Sequence, residues 1–251
     1  MSGHSKWHQI RRKKAVTDAR RGKAFTQIIK EITIAARLGG GDPAGNPRLR
    51  LAIDKAKQSN MPADNIKRAI MKGTGELPGM AYEDATYEAY GPGGAALIVE
   101  AVTDNKTRTV NELRHILDRN HGKLAATGAV AYQFHKKGMI TVPKSTIDED
   151  SLLGVALEAG ADDMNGDGET YTITCSPETF DTVRKALEEK GVAPEHAEIQ
   201  LVPETTVKLE GKDAELVLKL VEALEDHDDI QRVSGNFEID DAVIAGMERN
   251  A

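Results

Sequence analysis

The first sustained periodicity lies in KAFTQIIKEITIAARLGGG, where Phe25, Ile28, Ile29, Ile32, Ala35 and Ala36 recur at helical spacing and share one face. Gly39, Gly40 and Gly41 end that helix, because glycine reaches the left-handed geometry of a helix terminus cheaply. In NPRLRLAIDKAKQSN, Asn46 is the expected N-cap and Pro47 the first helical residue. Leu49, Ala52, Ile53 and Ala56 form its inner stripe, while Arg50, Lys55 and Lys57 project elsewhere. MPADNIKRAIMKGTG turns Ile66, Ala69 and Ile70 inward and stops at Gly73. Three helices thus make a small all-α module. The segment before them, SKWHQIRRKKAV, is too polar to hold itself against a core.

GTGELPGM reads as a linker, and the period changes after it. DATYEAYG and AALIVEAV are strand-like runs joined by GPGG. RTVNELRHILDRNHG predicts a helix with a capping box of Thr109 and Glu112 and a stripe of Val110, Leu113 and Leu117. AVAYQFHKKGMITV predicts two strands around Lys136, Lys137 and Gly138. A helix over about 150–159 follows, then YTITC with Tyr171, Ile173 and Cys175 on one face and Thr172 and Thr174 on the other. SPETFDTVRKALEEKG has Ser176 as expected N-cap, Pro177 at N1, an inner stripe of Phe180, Val183 and Leu187, and Gly191 as its stop. AEIQLVPE predicts a strand, KDAELVLKLVEALEDHDD a helix with Leu216, Leu220 and Leu224 inward, and IQRVSGNFEI a last strand or hairpin. Short strands mixed with helices predict α+β sheets backed by helices on one face, with elements enough for two such units.

Composition is that of an ordinary globular chain: 251 residues, 39% hydrophobic and 29% charged. No run approaches the roughly 18 apolar residues of a membrane span, and no apolar signal-peptide core opens the chain, so a cytoplasmic protein is expected. The single cysteine, Cys175, cannot form an intrachain disulfide, which agrees with a reducing compartment. Charge changes the picture more. The net charge is −7, yet through Gly75 there are 17 Lys and Arg against 5 Asp and Glu, leaving 16 against 35 for the remainder. A basic module on an acidic body attracts phosphate backbones at one end and repels them elsewhere.

Candidate chemistry elsewhere is thin. In DDMNGDGE, Asp163, Asn165 and Asp167 take the first, third and fifth places of a calcium loop with Gly168 at the sixth. The twelfth place holds Thr174 instead of a bidentate Glu, so a polar turn is expected. GPGG, Gly91 to Gly94, lacks the following helix and lysine of a phosphate loop, and reads as a turn that lets another chain approach closely. His4 and His8 lack the glutamate that a metalloprotease pattern needs after the first histidine. Cys175 sits in the apolar register of its strand, as a buried structural thiol. Glu188, Glu189, Asp226, Asp228 and Asp229 read as solvated faces and helix ends. No triad, paired-carboxylate site or metal cluster stands out, so the expectation is a non-enzymatic protein with no cofactor and no metal.

The basic segment is different. Lys6, Arg11, Arg12, Lys13, Lys14, Arg20, Arg21 and Lys23 are opposed only by Asp18, and the sole tryptophan, Trp7, lies among them. Cations with one aromatic suit phosphate contacts plus stacking on an exposed base; the other reading has Trp7 stapling the segment onto the helices. If about five of these cations each neutralise a phosphate, the log–log salt slope is near −4 to −5 on duplex DNA and about −3 to −4 on single strands.

GHSKW at Gly3 to Trp7, RRKKA at Arg11 to Ala15, DARRGKAF, LGGGDP, NPRLR, NMPADNIKRAI and KGTGE together resemble the N-terminal module of the YebC/PmpR family, which includes a mitochondrial translational activator. The resemblance continues through YEAYGPGG, DNKTRT and AVAYQFHKKG, and so covers nearly the whole chain. It departs at Ala89, where the family usually has Gly, and at His121 and Gly122, where it usually has a Gly pair. It implies a small N-terminal helical domain followed by two α+β (ferredoxin-like) domains, the third inserted in the second. On that basis the expected boundaries are 1–78, then 79–134 with 205–251, and 135–204 for the insertion. It also carries the basic pattern onto Lys6, Arg11, Arg12, Lys13, Lys14, Arg20, Arg21 and Lys23. Some family members resemble DNA-binding transcription regulators, and others ribosome-associated factors that help translation through proline-rich stretches. The expected partner is therefore nucleic acid, DNA or ribosomal RNA, with no membrane and no small-molecule substrate. No helix-turn-helix with an exposed recognition face stands out in the helical module.

Overall fold

The computed structural model describes residues 18–239, apart from the side chains of residues 18–21 and 167. In chain order the helices are α1 Asp18–Gly39, α2 Pro47–Gln58, α3 Ala63–Gly73, α4 Lys106–Arg119, α5 Glu149–Glu158, α6 Phe180–Glu189 and α7 Gly211–Glu225. The strands are β1 Glu83–Tyr90, β2 Ala96–Thr103, β3 Lys123–Leu124, β4 Phe134–Pro143, β5 Ala161–Asp167, β6 Thr170–Cys175, β7 His196–Pro203, β8 Val207–Leu209, β9 Ile230–Gly235 and β10 Phe237–Ile239. They form two compact units: Tyr132–Thr205, and the described residues on either side of it in sequence.

α2 and α3 both pack on α1. Ile28, Ile32, Ala35 and Ala36 of α1 meet Leu49, Ala52 and Ala56 of α2 and Ile66 and Ala69 of α3 in one apolar cluster. The expected stripes are thus the ones buried. Asn46 caps α2 as its position suggests, accepting from Leu49 N at 3.0 Å. Its amide also donates to Ala35 O at 2.8 Å and Gly40 O at 2.9 Å, so both amide hydrogens and the oxygen tie the α1–α2 connection down. A Cβ on Gly39 would stand 2.6 Å from that amide nitrogen, which is why glycine serves here for space as well as for ending the helix.

The first sheet has the order β3-β1-β2-β9, every pair antiparallel. α4 and α7 cover one face, burying Leu113, Leu117, Val217, Leu220, Val221 and Leu224 against Ala89, Leu97, Val99 and Val233. α1 packs toward β2, and Gln27 donates from Nε2 to Ile230 O at 2.6 Å. The helical layer and this sheet therefore share one compact unit.

The second unit runs β4–α5–β5–β6–α6–β7 with strand order β5-β6-β4-β7, again all antiparallel. This is the ferredoxin-like split βαβ arrangement. The first sheet keeps the same alternation of directions but a different chain order, because its β1–β2 hairpin precedes α4. The chain is thus α+β, a helical layer followed by two α+β sheets, with one sheet's unit interrupting the other in sequence.

Five local expectations need correction. α4 is capped by Asn105, whose Oδ1 accepts from Arg108 N at 3.0 Å; Thr109 is fully buried in the first turn and forms no capping box with Glu112. AVAYQFHKKGMITV holds one continuous strand, β4, because Gly138 is a packing glycine, not a breaker: a Cβ there would sit 2.6 Å from Cys175 Sγ and Phe180 Cδ2. DDMNGDGE is mostly strand β5, and only Gly168, at φ +53, and Glu169 make the turn. α6 begins at Phe180, after a turn in which Thr179 N donates to Ser176 Oγ at 3.3 Å. IQRVSGNFEI is not a hairpin. β9 joins β2 while β10 runs parallel to β8, and the buried Asn236 between them binds Ala96 N through Oδ1 at 2.7 Å.

Candidate nucleic-acid interface

Of the residues nominated from sequence, Lys6, Trp7, Arg11, Arg12, Lys13 and Lys14 lie outside the described residues, as do His4 and His8. Arg20 and Arg21 fall in the first turn of α1, and their side chains are not described. Lys23 is described: its side chain is largely covered, with Nζ 3.8 Å from Asp226 Oδ1.

Farther along α1, Lys30 turns away from solvent. Lys30 is 8% exposed and Asp229 3% exposed. Lys30 Nζ lies 2.6 Å from Asp229 Oδ1 and also donates to Asp228 O at 3.0 Å. The other oxygen, Asp229 Oδ2, receives Arg108 Nη2 at 2.7 Å and Thr109 Oγ1 at 2.8 Å, with Thr103 Oγ1 at 3.2 Å. Burial alone would push this carboxyl up, but the bonds from Lys30, Arg108 and Thr109 hold it far below the usual carboxylate range. Asp229 in turn raises the Arg108 guanidinium, with help from Asp104. The expectation that Asp229 is solvated is therefore wrong: it is the anchor at which α1, α4 and the α7–β9 connection meet.

Arg48, at the start of α2, makes two further forked contacts. Its Nε and Nη2 reach Glu31 at 2.7 and 3.1 Å, and its Nη1 and Nη2 reach Asp84 at 2.7 and 2.8 Å. The Asp84 bond is the main reason its guanidinium is held above its ordinary value, against burial and with Glu31 adding to it. Arg37 donates to Tyr82 O at 3.1 Å. Several cations of the basic module thus fasten the helices to the acidic sheet and are not available to phosphates.

Others are available. Lys57 on α2 and Lys67, Arg68 and Lys72 on α3 are exposed, and among the described residues none meets a carboxylate within ion-pair distance. Arg68 and Lys72 stand one turn apart on α3. These four were not nominated from sequence. The signal was present all the same: Lys67 and Arg68 stand between Ile66 and Ala69, Lys72 follows Ile70 and Lys57 follows Ala56, all off the apolar stripes.

Two other clusters bring titratable groups together. Glu112, His227 and Asp229 bring one ligand atom each within 4.8 Å of one another. A cation does not fit there, because both oxygens of Asp229 are taken by ammonium and guanidinium groups. His227 Nδ1 accepts from Asp229 N at 3.1 Å, leaving Nε2 against Glu112 Oε2 at 2.8 Å. The second is Glu88, 7% exposed in β1, whose carboxylate accepts from Gly128 N at 2.5 Å, Val130 N at 2.7 Å and Ala131 N at 2.9 Å. Burial opposes its charge, but the backbone N–H groups outweigh that and hold it below its ordinary value. It is a structural anion that shapes the 125–131 connection. The GPGG turn is also used internally, since a Cβ on Gly93 would stand 2.5 Å from Leu209 Cδ2.

Residues 5–76 match a family model described as the TACO1/YebC protein N-terminal domain, and residues 82–237 one described as the TACO1/YebC second and third domain. A protein of Chlorobium phaeovibrioides, 54% identical over 99% of this chain and 100% of its own, is named "Probable transcriptional regulatory protein". A Pelotomaculum thermopropionicum protein of the same name is 56% identical over 96% of this chain and 100% of its own. The crystal structure of a conserved hypothetical protein from Aquifex aeolicus is similar at TM-score 0.81 and 47% identity, covering 89% of this chain and 93% of that one.

Proposed function

The chain belongs to the TACO1/YebC family, and from that premise we propose that it is a non-enzymatic, cytoplasmic regulator of gene expression that works by holding nucleic acid through its basic N-terminal region. The observation that carries this reading is the sorting of cations in the helical layer. Lys30 and Arg48 are buried or forked onto carboxylates, whereas Lys57, Lys67, Arg68 and Lys72 are left on the surface of helices that those ion pairs hold in place. Fixed, unneutralised cations grip phosphates at lower entropic cost than mobile ones, and Lys6 to Lys23 extend the same sign of charge along the chain. The buried Cys175, whose thiol burial pushes up, is unsuited to nucleophilic chemistry.

A DNA-binding transcriptional regulator is the first form of the proposal, in line with the names of the relatives. A ribosome-associated translation factor is the second, and one observation favours it. The exposed face of α3 offers Lys67, Arg68 and Lys72 with Asp64 and no Asn or Gln, so it neutralises phosphates but presents nothing for adenine edges in a major groove. Two assays run together test both. Wild-type protein is expected to retard a promoter fragment more than random DNA at matched salt, or to co-sediment with ribosomes. Lys67→Glu/Arg68→Glu/Lys72→Glu, alone or with Arg11→Glu/Arg12→Glu/Lys13→Glu/Lys14→Glu, is expected to lose the association. Undiminished binding of the combined variant to both polyanions would sink the proposal.

A further inference from the structure

The chain holds five tyrosines, and their surroundings differ. Lys30 Nζ lies over the Tyr82 ring at 5.7 Å, and Lys144 Nζ over the Tyr171 ring at 5.2 Å. Tyr87 is half-buried, and its hydroxyl donates to Lys106 O at 3.4 Å. Tyr132 is exposed but belongs to the Tyr132–Thr205 unit. Tyr90, the last residue of β1, is 41% exposed, and among the described residues no cation lies over its ring.

Tyr90 has a cation beside it all the same. Its register partner on the edge strand β3 is Lys123, so the two side chains leave one face of the sheet, with Cβ atoms about 5 Å apart. That face points away from α4 and α7, because the neighbouring pair, Ala89 and Leu124, packs into the cluster under those helices. Lys123 is exposed and meets no carboxylate within ion-pair distance among the described residues. The acidic residue one pleat back along β1, Glu88, is closed off, its carboxylate taken by Gly128 N, Val130 N and Ala131 N.

The frame around the ring is fixed. The Tyr90 hydroxyl donates to Ala129 O at 3.3 Å, and Ala129 N closes a turn onto Ala126 O at 3.1 Å. Gly122, just before β3, lies so close that a Cβ there would stand 3.1 Å from Tyr90 O. Ala126, Thr127 and Gly128 of the turn are small and exposed, so no bulky side chain on that side blocks approach to the tyrosine.

We propose that Tyr90 and Lys123 form a site for one nucleotide of a single-stranded nucleic acid, the base stacking on the tyrosine ring and the phosphate held by the ammonium group. This rests on the nucleic-acid reading above and adds the state of the strand that is bound. A base inside a duplex has both faces covered by its neighbours, so an exposed ring selects unpaired bases, and every base has a face to offer. A lysine without a counter-charge selects the phosphate. Because the ring is held at its hydroxyl and by its strand, it loses its freedom on folding and not on binding. The site belongs to the same compact unit as Lys67, Arg68 and Lys72.

The test uses the full chain with labelled oligo(U) and oligo(dT) of about 10 nucleotides and a duplex of the same length, titrated by anisotropy over a range of salt. Tyr90→Leu is expected to weaken single-strand binding about tenfold with an unchanged log–log salt slope, and to leave duplex binding at the wild-type level. Tyr90→Phe, which keeps the ring, is expected to bind single strands like wild type. Lys123→Gln is expected to make the single-strand slope shallower by about 0.7. Wild-type affinity in Tyr90→Leu, or a wild-type slope in Lys123→Gln, overturns the inference. So does an equal loss in Tyr90→Phe, because the ring would then not be the cause. Lys123 is exposed on an edge strand, so its variant reads the site even if Tyr90→Leu does not fold. Wild type that binds the duplex but neither single strand overturns the inference and leaves the function proposed above standing. If wild type binds no nucleic acid, both fall.

Discussion

Asp229 shows most sharply how a residue's role depends on distant chain. Within EDHDD nothing local separates it from Asp226 or Asp228, which stay exposed. Its partner Lys30 lies 199 residues away and Arg108 121 residues away. Asp229→Ala would leave the Lys30 ammonium buried without a counter-charge, an arrangement that costs about 3–5 kcal/mol. The expected measurement is a lower urea midpoint with an unchanged m-value. The same carboxylate sets an acid limb. Its folded pKa is depressed, so its stabilisation is complete above its unfolded value of about 3.9 and is lost as pH falls below that toward the folded value. Asp229→Asn is therefore expected to flatten the loss of stability below about pH 4. A variant as acid-sensitive as wild type would show that other carboxylates set the limb.

Elements were more legible than single charges. The stripes of α1, α2 and α3 were read from spacing, and Asn46–Pro47 marked the start of α2 because capping and proline geometry are local. The start of α4 misled, since Thr109 and Glu112 fit a capping box as well as Asn105 fits an N-cap. What decides is that Thr109 is needed inside, against Asp229. Gly138 misled for a related reason: only the approach of Phe180 and Cys175 shows that it is a packing residue in mid-strand. Glu88 had no sequence signal at all, because it stands in a strand register and its partners are backbone N–H groups of another segment. Glu88→Gln keeps the shape but loses the charge that three donors converge on. It is expected to cost about 1–3 kcal/mol and to speed amide exchange at Gly128, Val130 and Ala131 while leaving β2 protected. Unchanged exchange at those three amides would remove Glu88 from this role.

On the scale of the whole molecule, the Tyr132–Thr205 segment carries its own sheet, two covering helices and an inner set of Ile140, Val142, Leu152, Ile173, Phe180, Val183 and Leu187. Expressed alone, it is expected to fold with a single cooperative transition; a non-cooperative melt with exposed apolar surface would show that it depends on the rest of the chain. The sequence by itself determined the periods of the elements, most of the caps and stops, and the concentration of positive charge toward one end. These follow from neighbours a few residues apart, where helical and strand geometry fix the spacing. Only the tertiary structure decided which charges are occupied and which stay open. Lys30 is taken by Asp229 and Arg48 by Glu31 and Asp84, whereas Lys57, Lys67, Arg68 and Lys72 remain at the surface. Pairing of that kind depends on approaches between separate segments, 17 and 36 residues apart for Arg48 and 199 for Lys30, and local spacing holds no record of them.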